Sequence, residues 1–391
     1  MAALRFSEAI DRLGTESAFV VLARAQELEA QGNDIINLGI GQPDFKTPAH
    51  IVEAAVKALR DGYHGYTPSN GLPQLRNAVA ENLEERIGVS INEKQIIIVP
   101  GGKPSIFFAV QMFGEPGVEI IYPNPGFPIY ESTIRYSGAT PVPISVGEDV
   151  GFSLCAREVL EKITCNTRLI IVNSPSNPTG GVVEETELNK LAEGLKAHPH
   201  VAVLSDEIYS HMVYGEHIHK SLLSYPELRS RVIMLDGWSK TFAMTGWRIG
   251  YAVWPESMVD FVTRLCVNYH SCVNASAQFA ALAALKGSMD EVLQMIHAFD
   301  RRRKVIVDAL NTLPNVHCAD AAGAFYAFPN ITQTGLSAKE AQDLFLEKAG
   351  VATVAGTSFG LGGEGHLRFS YANSEENILK AVDRIRPFLT K

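Results

Sequence analysis

The segment Asp236-Gly-Trp-Ser-Lys-Thr-Phe-Ala-Met-Thr-Gly-Trp-Arg-Ile-Gly250 is the stretch from which the rest of the chain can be read. It follows the apolar run Val232–Leu235, which has the length and composition of a buried strand. Charged side chains avoid interiors unless they have a partner, so Lys240, just past a buried strand in a Gly-rich turn, needs a reason. Read alone it is an ordinary lysine in a surface turn. A lysine amine can also form a Schiff base with an aldehyde. Arg248, eight residues on, can hold a phosphate through its planar fork.

Outward from this segment, apolar runs at Ile96–Val99, Glu119–Tyr122, Leu169–Val172, Val201–Leu204, Val232–Leu235 and Ile249–Val253 alternate with mostly helical stretches. That alternation predicts an α/β domain with a largely parallel sheet. Helical spacing predicts helices over residues 15–31, 48–61 and 71–87, with a short extended run at 35–41. The last hundred residues differ. A long helix carrying Arg301–Lys304 runs to about Leu313, strands near Ala324–Phe328 and His366–Tyr371 flank a helix at Ala338–Lys348, and another helix follows. This α+β tail is expected to pack with the N-terminal helix as a smaller domain across a cleft. The expected division is a large domain over residues 46–289 and a small domain from 1–45 and 290–391.

Ligands of open α/β sheets bind outside the carboxyl ends of the strands, and four polar segments fall there. Pro100-Gly-Gly-Lys-Pro-Ser105 leaves backbone N–H groups free at a helix start, which can cradle a phosphate; alone it reads equally as a tight turn. Asn173-Ser-Pro-Ser-Asn-Pro-Thr-Gly180 is a rigid loop in which Asn177 can donate to a phenolate oxygen, or is a plain surface turn. In Ser205-Asp-Glu-Ile-Tyr209, Asp206 could keep a pyridine nitrogen protonated, making an electron sink, and Tyr209 could donate to the ring 3′ oxygen. The competing reading of Asp206 is a helix N-cap. The fourth segment is the Lys240 loop.

Phosphate cup, phenolate donor, pyridinium partner and Schiff-base lysine are the four functions that one cofactor, pyridoxal 5′-phosphate, needs. With GQPDF, YTPSNGLPQLR, GGKPS, NSPSNPTGG, SDEIY, SKTFAMTGWRIGY and HLRFSYA in order over nearly the whole length, the chain resembles the class I PLP-dependent aminotransferases, in the subgroup that includes bacterial aspartate aminotransferases. The resemblance implies a mostly parallel seven-stranded sheet in the large domain. It also implies residue roles. Lys240 would be the Schiff-base lysine and proton carrier, with Asp206 and Tyr209 completing the catalytic set. Gly102, Lys103 (through their backbone), Ser239 and Arg248 would bind the phosphate, and Tyr66 would reach the phosphate of a neighbouring subunit's cofactor. Phe127 would stack on the ring, and Asn177 with Tyr209 would bind its phenolate oxygen. Arg368 would clamp the substrate α-carboxylate, helped by Asn177 and the backbone of Gly41. No metal is implied.

Two positions depart from that pattern. Phe127 can stack but cannot donate a hydrogen bond as the tryptophan or tyrosine of many relatives can. Gly237 stands where several relatives place a phosphate-binding hydroxyl, for which Ser239 is the substitute. The segment Asn268–Asn274 is expected near a homodimer interface with shared active sites; His270 there could touch substrate or be a packed structural residue.

The expected activity is transfer of the amino group of an L-amino acid, aspartate or a broad range, to a 2-oxo acid such as 2-oxoglutarate or pyruvate, with ping-pong kinetics. The alternatives are a PLP-dependent lyase and a non-catalytic PLP-binding regulator; no basic helix-turn-helix extension accompanies the enzyme-like region. The formal net charge of −9 argues against a nucleic-acid partner. Five cysteines without CxxC or metal spacing predict a reduced, cytoplasmic protein with buried thiols. The N-terminus lacks an apolar signal-peptide core, and no run of about 18 apolar residues predicts a membrane span.

Overall fold

The computed structural model describes residues 4–389. The first and last few residues of the expected small domain, 1–3 and 390–391, and the start of the N-terminal stretch read for a signal peptide lie outside it. The strands in chain order are β1 (Ile36–Asn37), β2 (Ile96–Val99), β3 (Glu119–Asn124), β4 (Thr140–Ser145), β5 (Thr167–Asn173), β6 (Ala202–Asp206), β7 (Val232–Gly237) and β8 (Gly250–Val253), followed by β9 (Tyr326–Ala327), β10 (Val351–Ala352), β11 (Val354–Ala355) and β12 (Leu367–Ser370). Strands β2 to β8 form one seven-stranded sheet in the order β2-β8-β7-β6-β5-β3-β4. Only β8 is reversed, pairing antiparallel with β2 and β7; the remaining pairs are parallel. The carboxyl ends of β2, β5, β6 and β7 therefore lie at one edge of the sheet.

The runs Ile96–Val99 and Val232–Gly237 are buried throughout because helices cover both faces. Strand β4, Thr-Pro-Val-Pro-Ile-Ser, has no counterpart in the sequence reading. Its two prolines argue against a strand, but it lies at the sheet edge, where a missing N–H is tolerated. Two apolar cores lie on opposite faces of the sheet. One contains Ile98, Ile170, Val203 and Met234, and the other Ile97, Ile171, Leu204 and Ile233, the alternation expected of a strand.

A third core joins the two ends of the chain. Ile36 and Leu38 pack with Phe299, Phe325, Phe345, Val351, Phe369 and Val382. Strand β1 pairs parallel with β10, and β11-β12-β9 form a small antiparallel sheet. The long helix is Asp290–Leu310, and Glu375–Ile385 lies against it. The helix expected over 338–348 is α-helical for Ala338–Leu344 and then widens into a π turn, Phe345–Ala349. Of the five free cysteines, only Cys266 and Cys318 are buried, and Cys165 is exposed; the thiols are not uniformly buried as the sequence reading expected. Among the described residues no helix is long and apolar enough to cross a membrane, and no group of metal-ligating side chains occurs.

Candidate active site

The four strand ends open onto a cavity of about 480 Å³. Lys240 stands on the four-residue helix Trp238–Thr241 that β7 runs into, and its amine donates to the Gly41 carbonyl at 2.6 Å. Burial, then the positive charges of Arg368 and Arg248, bring its pKa down from the ordinary lysine range to about 7. A near-neutral amine at physiological pH is what a nucleophile or proton carrier needs.

Asp206 ends β6. Its Oδ2 accepts from the Tyr130 hydroxyl at 2.7 Å and its Oδ1 from the Ile208 amide at 3.3 Å. No helix begins here, so the carboxylate is not an N-cap. Burial pushes its pKa up to about 6, against the lowering effect of those two donors. A buried carboxylate with no cation beside it, in reach of a cavity, is suited to a cationic ligand such as a pyridinium.

The phosphate end is shaped by glycines. Gly101 has φ of +80°, and a Cβ there would come within 2.1 Å of the Arg248 guanidinium. Arg248 is itself left-handed at φ 53° and donates to the Thr245 carbonyl at 2.8 Å. Gly102 precedes the helix Lys103–Phe113, and Gly102 and Lys103 both line the cavity, so the start of that helix stands at its wall. The Gly237 departure has a steric reason: it pairs with Gly250, and a Cβ on Gly237 would lie 2.8 Å from the Gly250 Cα. Ser239, on the adjoining helix, lines the cavity.

Arg368, only 3% exposed on β12, donates to Asn177 Oδ1 at 2.9 Å and to the Gly39 carbonyl at 2.5 Å. Its guanidinium lies between the rings of Tyr326 and Phe359, 4.6 and 4.7 Å from their centroids. Its Nε is buried without a partner, so the fork keeps a donor in reserve. Tyr209 shares a 2.8 Å hydrogen bond with Tyr326 and sits edge-on to it.

The structure thus places Gly41, Gly102, Lys103, Phe127, Asn177, Asp206, Tyr209, Ser239, Lys240, Arg248 and Arg368 around one cavity. Tyr66 is not among them: it is 92% exposed and away from the cavity of its own chain. His270 lines a different opening, with Gln42 and Arg248, and stacks on Phe108. Tyr130, Tyr326, Phe359 and Glu16 also line the cavity, and sequence reading missed all four. Tyr130 stands three residues past Phe127, a helical-turn spacing that could have flagged it; nothing local marks the others.

A lysine held near neutrality, an unpaired buried carboxylate and a glycine–arginine cradle at the ends of parallel strands define an enzyme built around a phosphorylated aldehyde cofactor. Residues 33–385 match the family described as aminotransferase class I and II, and the chain belongs to that family. It is 38% identical to the aspartate aminotransferase of Pyrococcus horikoshii over 369 residues, 94% of this chain and 92% of that protein. Its fold is similar to the solved aspartate aminotransferase of Rhizobium meliloti, with a TM-score of 0.94, 32% identity and 99% of each chain covered. It is also similar to the aromatic aminotransferase of Pyrococcus horikoshii, with a TM-score of 0.88, 36% identity, and 93% of this chain and 98% of that one covered. The protein is a pyridoxal-phosphate-dependent transaminase acting on small amino and 2-oxo acids.

Proposed function

We propose that this chain moves the amino group of an L-amino acid, aspartate or a broader set, to a 2-oxo acid such as 2-oxoglutarate or pyruvate, with Lys240 as the proton carrier. The observation that carries the reading is the Lys240 amine, buried in the cavity past the end of β7 beside Arg368 and Arg248, where burial first and then those charges lower its pKa to about 7. Bound pyridoxal phosphate supplies an aldehyde for the lysine and an electron sink for the substrate α-carbon.

The chain's own residues do the rest. Arg248 and the backbone of Gly102 and Lys103 would hold the phosphate, helped by Ser239. Asp206, kept in place by Tyr130 and the Ile208 amide, offers its negative charge to the ring nitrogen. Tyr209 and Asn177 would hold the phenolate oxygen, and Phe127 would pack on the ring. Arg368 binds the substrate α-carboxylate with two nitrogens. Asn177, already bonded to Arg368, links the carboxylate clamp to the cofactor ring. Lys240, as a neutral amine, would take the substrate α-proton and carry it.

The same reading divides the chain at residues 46–289 against both termini, supported by the core in which Ile36 and Leu38 pack with Phe299, Phe325 and Val382. It also makes the chain a homodimer in which Tyr66, solvent-exposed on one protomer, completes the partner's phosphate site, and places the enzyme in the cytoplasm. The test is the absorption spectrum of the purified protein on adding single amino acids without oxo acid. Loss of the lysine-linked cofactor band in favour of an amine-form band supports transamination; persistence of the original band with every amino acid would sink it and favour a lyase.

A further inference from the structure

The cavity contains one ion pair that the proposed chemistry leaves unused. Its charged walls are Glu16, Lys103, Asp206, Lys240, Arg248 and Arg368. The side chains of four of these are engaged with cofactor or substrate in the roles above, where Lys103 serves only through its backbone. The other two meet each other: the Lys103 amine donates to the Glu16 carboxylate. The same ammonium lies 5.6 Å from the ring centroids of both Phe19 and Phe127. Glu16 is the sheltered partner, its side chain 13% exposed against 44% for Lys103.

The position of Glu16 is unusual for its sequence context. It stands at the N-cap of the helix Ser17–Ala30, where an acidic side chain ordinarily accepts from the first helical N–H groups. It makes no such bond; the carboxylate faces the cavity instead. Its negative charge is felt at Lys240, Arg368 and Tyr326.

We infer that Glu16 is a specificity residue: by occupying Lys103 it leaves the wall that this chain's described residues build without a free cation for a second carboxylate, and so directs the site to monocarboxylic amino and oxo acids with uncharged side chains. This rests on the transaminase reading above and, within the donors and acceptors left open there, favours uncharged amino acids over aspartate and pyruvate over 2-oxoglutarate. A dicarboxylic substrate anchored at Arg368 must bring its distal carboxylate beside Glu16, where like charges repel strongly in a partly desolvated cavity. Otherwise it must displace Glu16, leaving a sheltered carboxylate without its partner. An uncharged side chain meets neither cost, and Ile40, Phe19, Ile106 and Phe127 give it apolar wall.

The test is binding of two unreactive acids, succinate and propionate, to the cofactor-loaded enzyme, measured by calorimetry. The wild-type protein should bind succinate no more than about threefold tighter than propionate. E16A should raise the succinate-to-propionate affinity ratio at least about tenfold, the scale of one hydrogen bond to a charged group. E16Q should shift it in the same direction. Adding K103A to E16A should reverse the gain, because the freed cation is then gone. The ratio of kcat/KM for aspartate over alanine should follow the same order. A strong wild-type preference for succinate, or a ratio unmoved in both Glu16 variants, would overturn the inference. Should E16A fail to load cofactor, E16Q, which keeps the shape, decides. The binding ratio is read without turnover, so its failure is distinct from a failure of amino acids to convert the cofactor.

Discussion

Arg368 on β12 and Asn177 in the loop after β5 are 191 residues apart in sequence and meet through a 2.9 Å bond from the arginine Nη1 to the asparagine Oδ1. That contact and the flanking Tyr326 and Phe359 rings hold a planar fork that a lysine cannot imitate. R368K should therefore raise KM for amino acids by about ten- to a hundredfold, the equivalent of losing one or two charged hydrogen bonds, and leave kcat less affected. Steady-state kinetics on both half-reactions would show it; an unchanged KM would place the α-carboxylate elsewhere.

Lys240 predicts a pH dependence in the cofactor-free protein. Its folded pKa, about 7, lies below the ordinary lysine value because of burial first and then Arg368 and Arg248. Between pH 7 and the ordinary lysine range the unfolded chain binds more protons, so stability rises with pH across that window. Below pH 7 both states are charged and the folded state bears the whole cost of the buried ammonium. K240M should thus melt above wild type at pH 6, by up to a few kcal/mol, with the difference fading by pH 10. The rate of cofactor uptake by the wild-type apoprotein should rise with a midpoint near pH 7. Thermal melts and uptake kinetics across pH would check both.

Asp206 has the opposite linkage. Its folded pKa, about 6, is raised by burial above the ordinary carboxylate value. The folded apoprotein therefore binds the extra proton between about pH 4 and 6, and this contribution to stability is lost as pH rises through that window. D206N should stabilise the apoprotein above pH 6 while weakening cofactor affinity by about tenfold or more, since a charged partner is lost. Y130F removes a donor that lowers this pKa, so it should move the Asp206 transition in the apoprotein to higher pH. Melting curves of both variants, with and without cofactor, supply the test.

The exposure of Tyr66 on its own chain sets a complementation experiment. Y66F and K240A should each be impaired alone, Y66F through weaker cofactor retention and K240A through loss of the amine. Mixed and reassembled, the two should recover activity, because a hybrid dimer holds one site with Lys240 from one chain and Tyr66 from the other. No recovery from hybrids shown to form by mass would count against the shared site.

Gly101 offers a steric check on the phosphate cradle. G101A would push a Cβ against the Arg248 guanidinium from a left-handed backbone position. Cofactor affinity should fall while α-carboxylate binding at Arg368 persists, a separation that equilibrium dialysis and inhibitor titration would reveal.

The chemistry was legible because it sits on short motifs fixed to strand ends. The runs Ile96–Val99, Leu169–Val172, Val201–Leu204 and Val232–Leu235 are continuous and apolar, so their buried strands follow from composition, and Gly102, Asn177, Asp206 and Lys240 stand within a few residues of where those runs stop. Strand β4 was not legible, because Pro141 and Pro143 read as breakers and only an edge position excuses them. The near-neutral pKa of Lys240 is set by burial first and then by Arg368, 128 residues away in sequence, and the clamp around Arg368 by Tyr326 and Phe359, which no spacing relates to Lys240. Glu16 read as the start of a helix, and only packing against Lys103 turned it into a wall of the cavity. Local sequence determined which groups stand at the strand ends, since strand, turn and helix propensities act over a few residues. Tertiary structure decided their charge states, their partners and the shape of the substrate's surroundings, because burial and Coulomb interactions depend on distances in space that the order of residues does not contain.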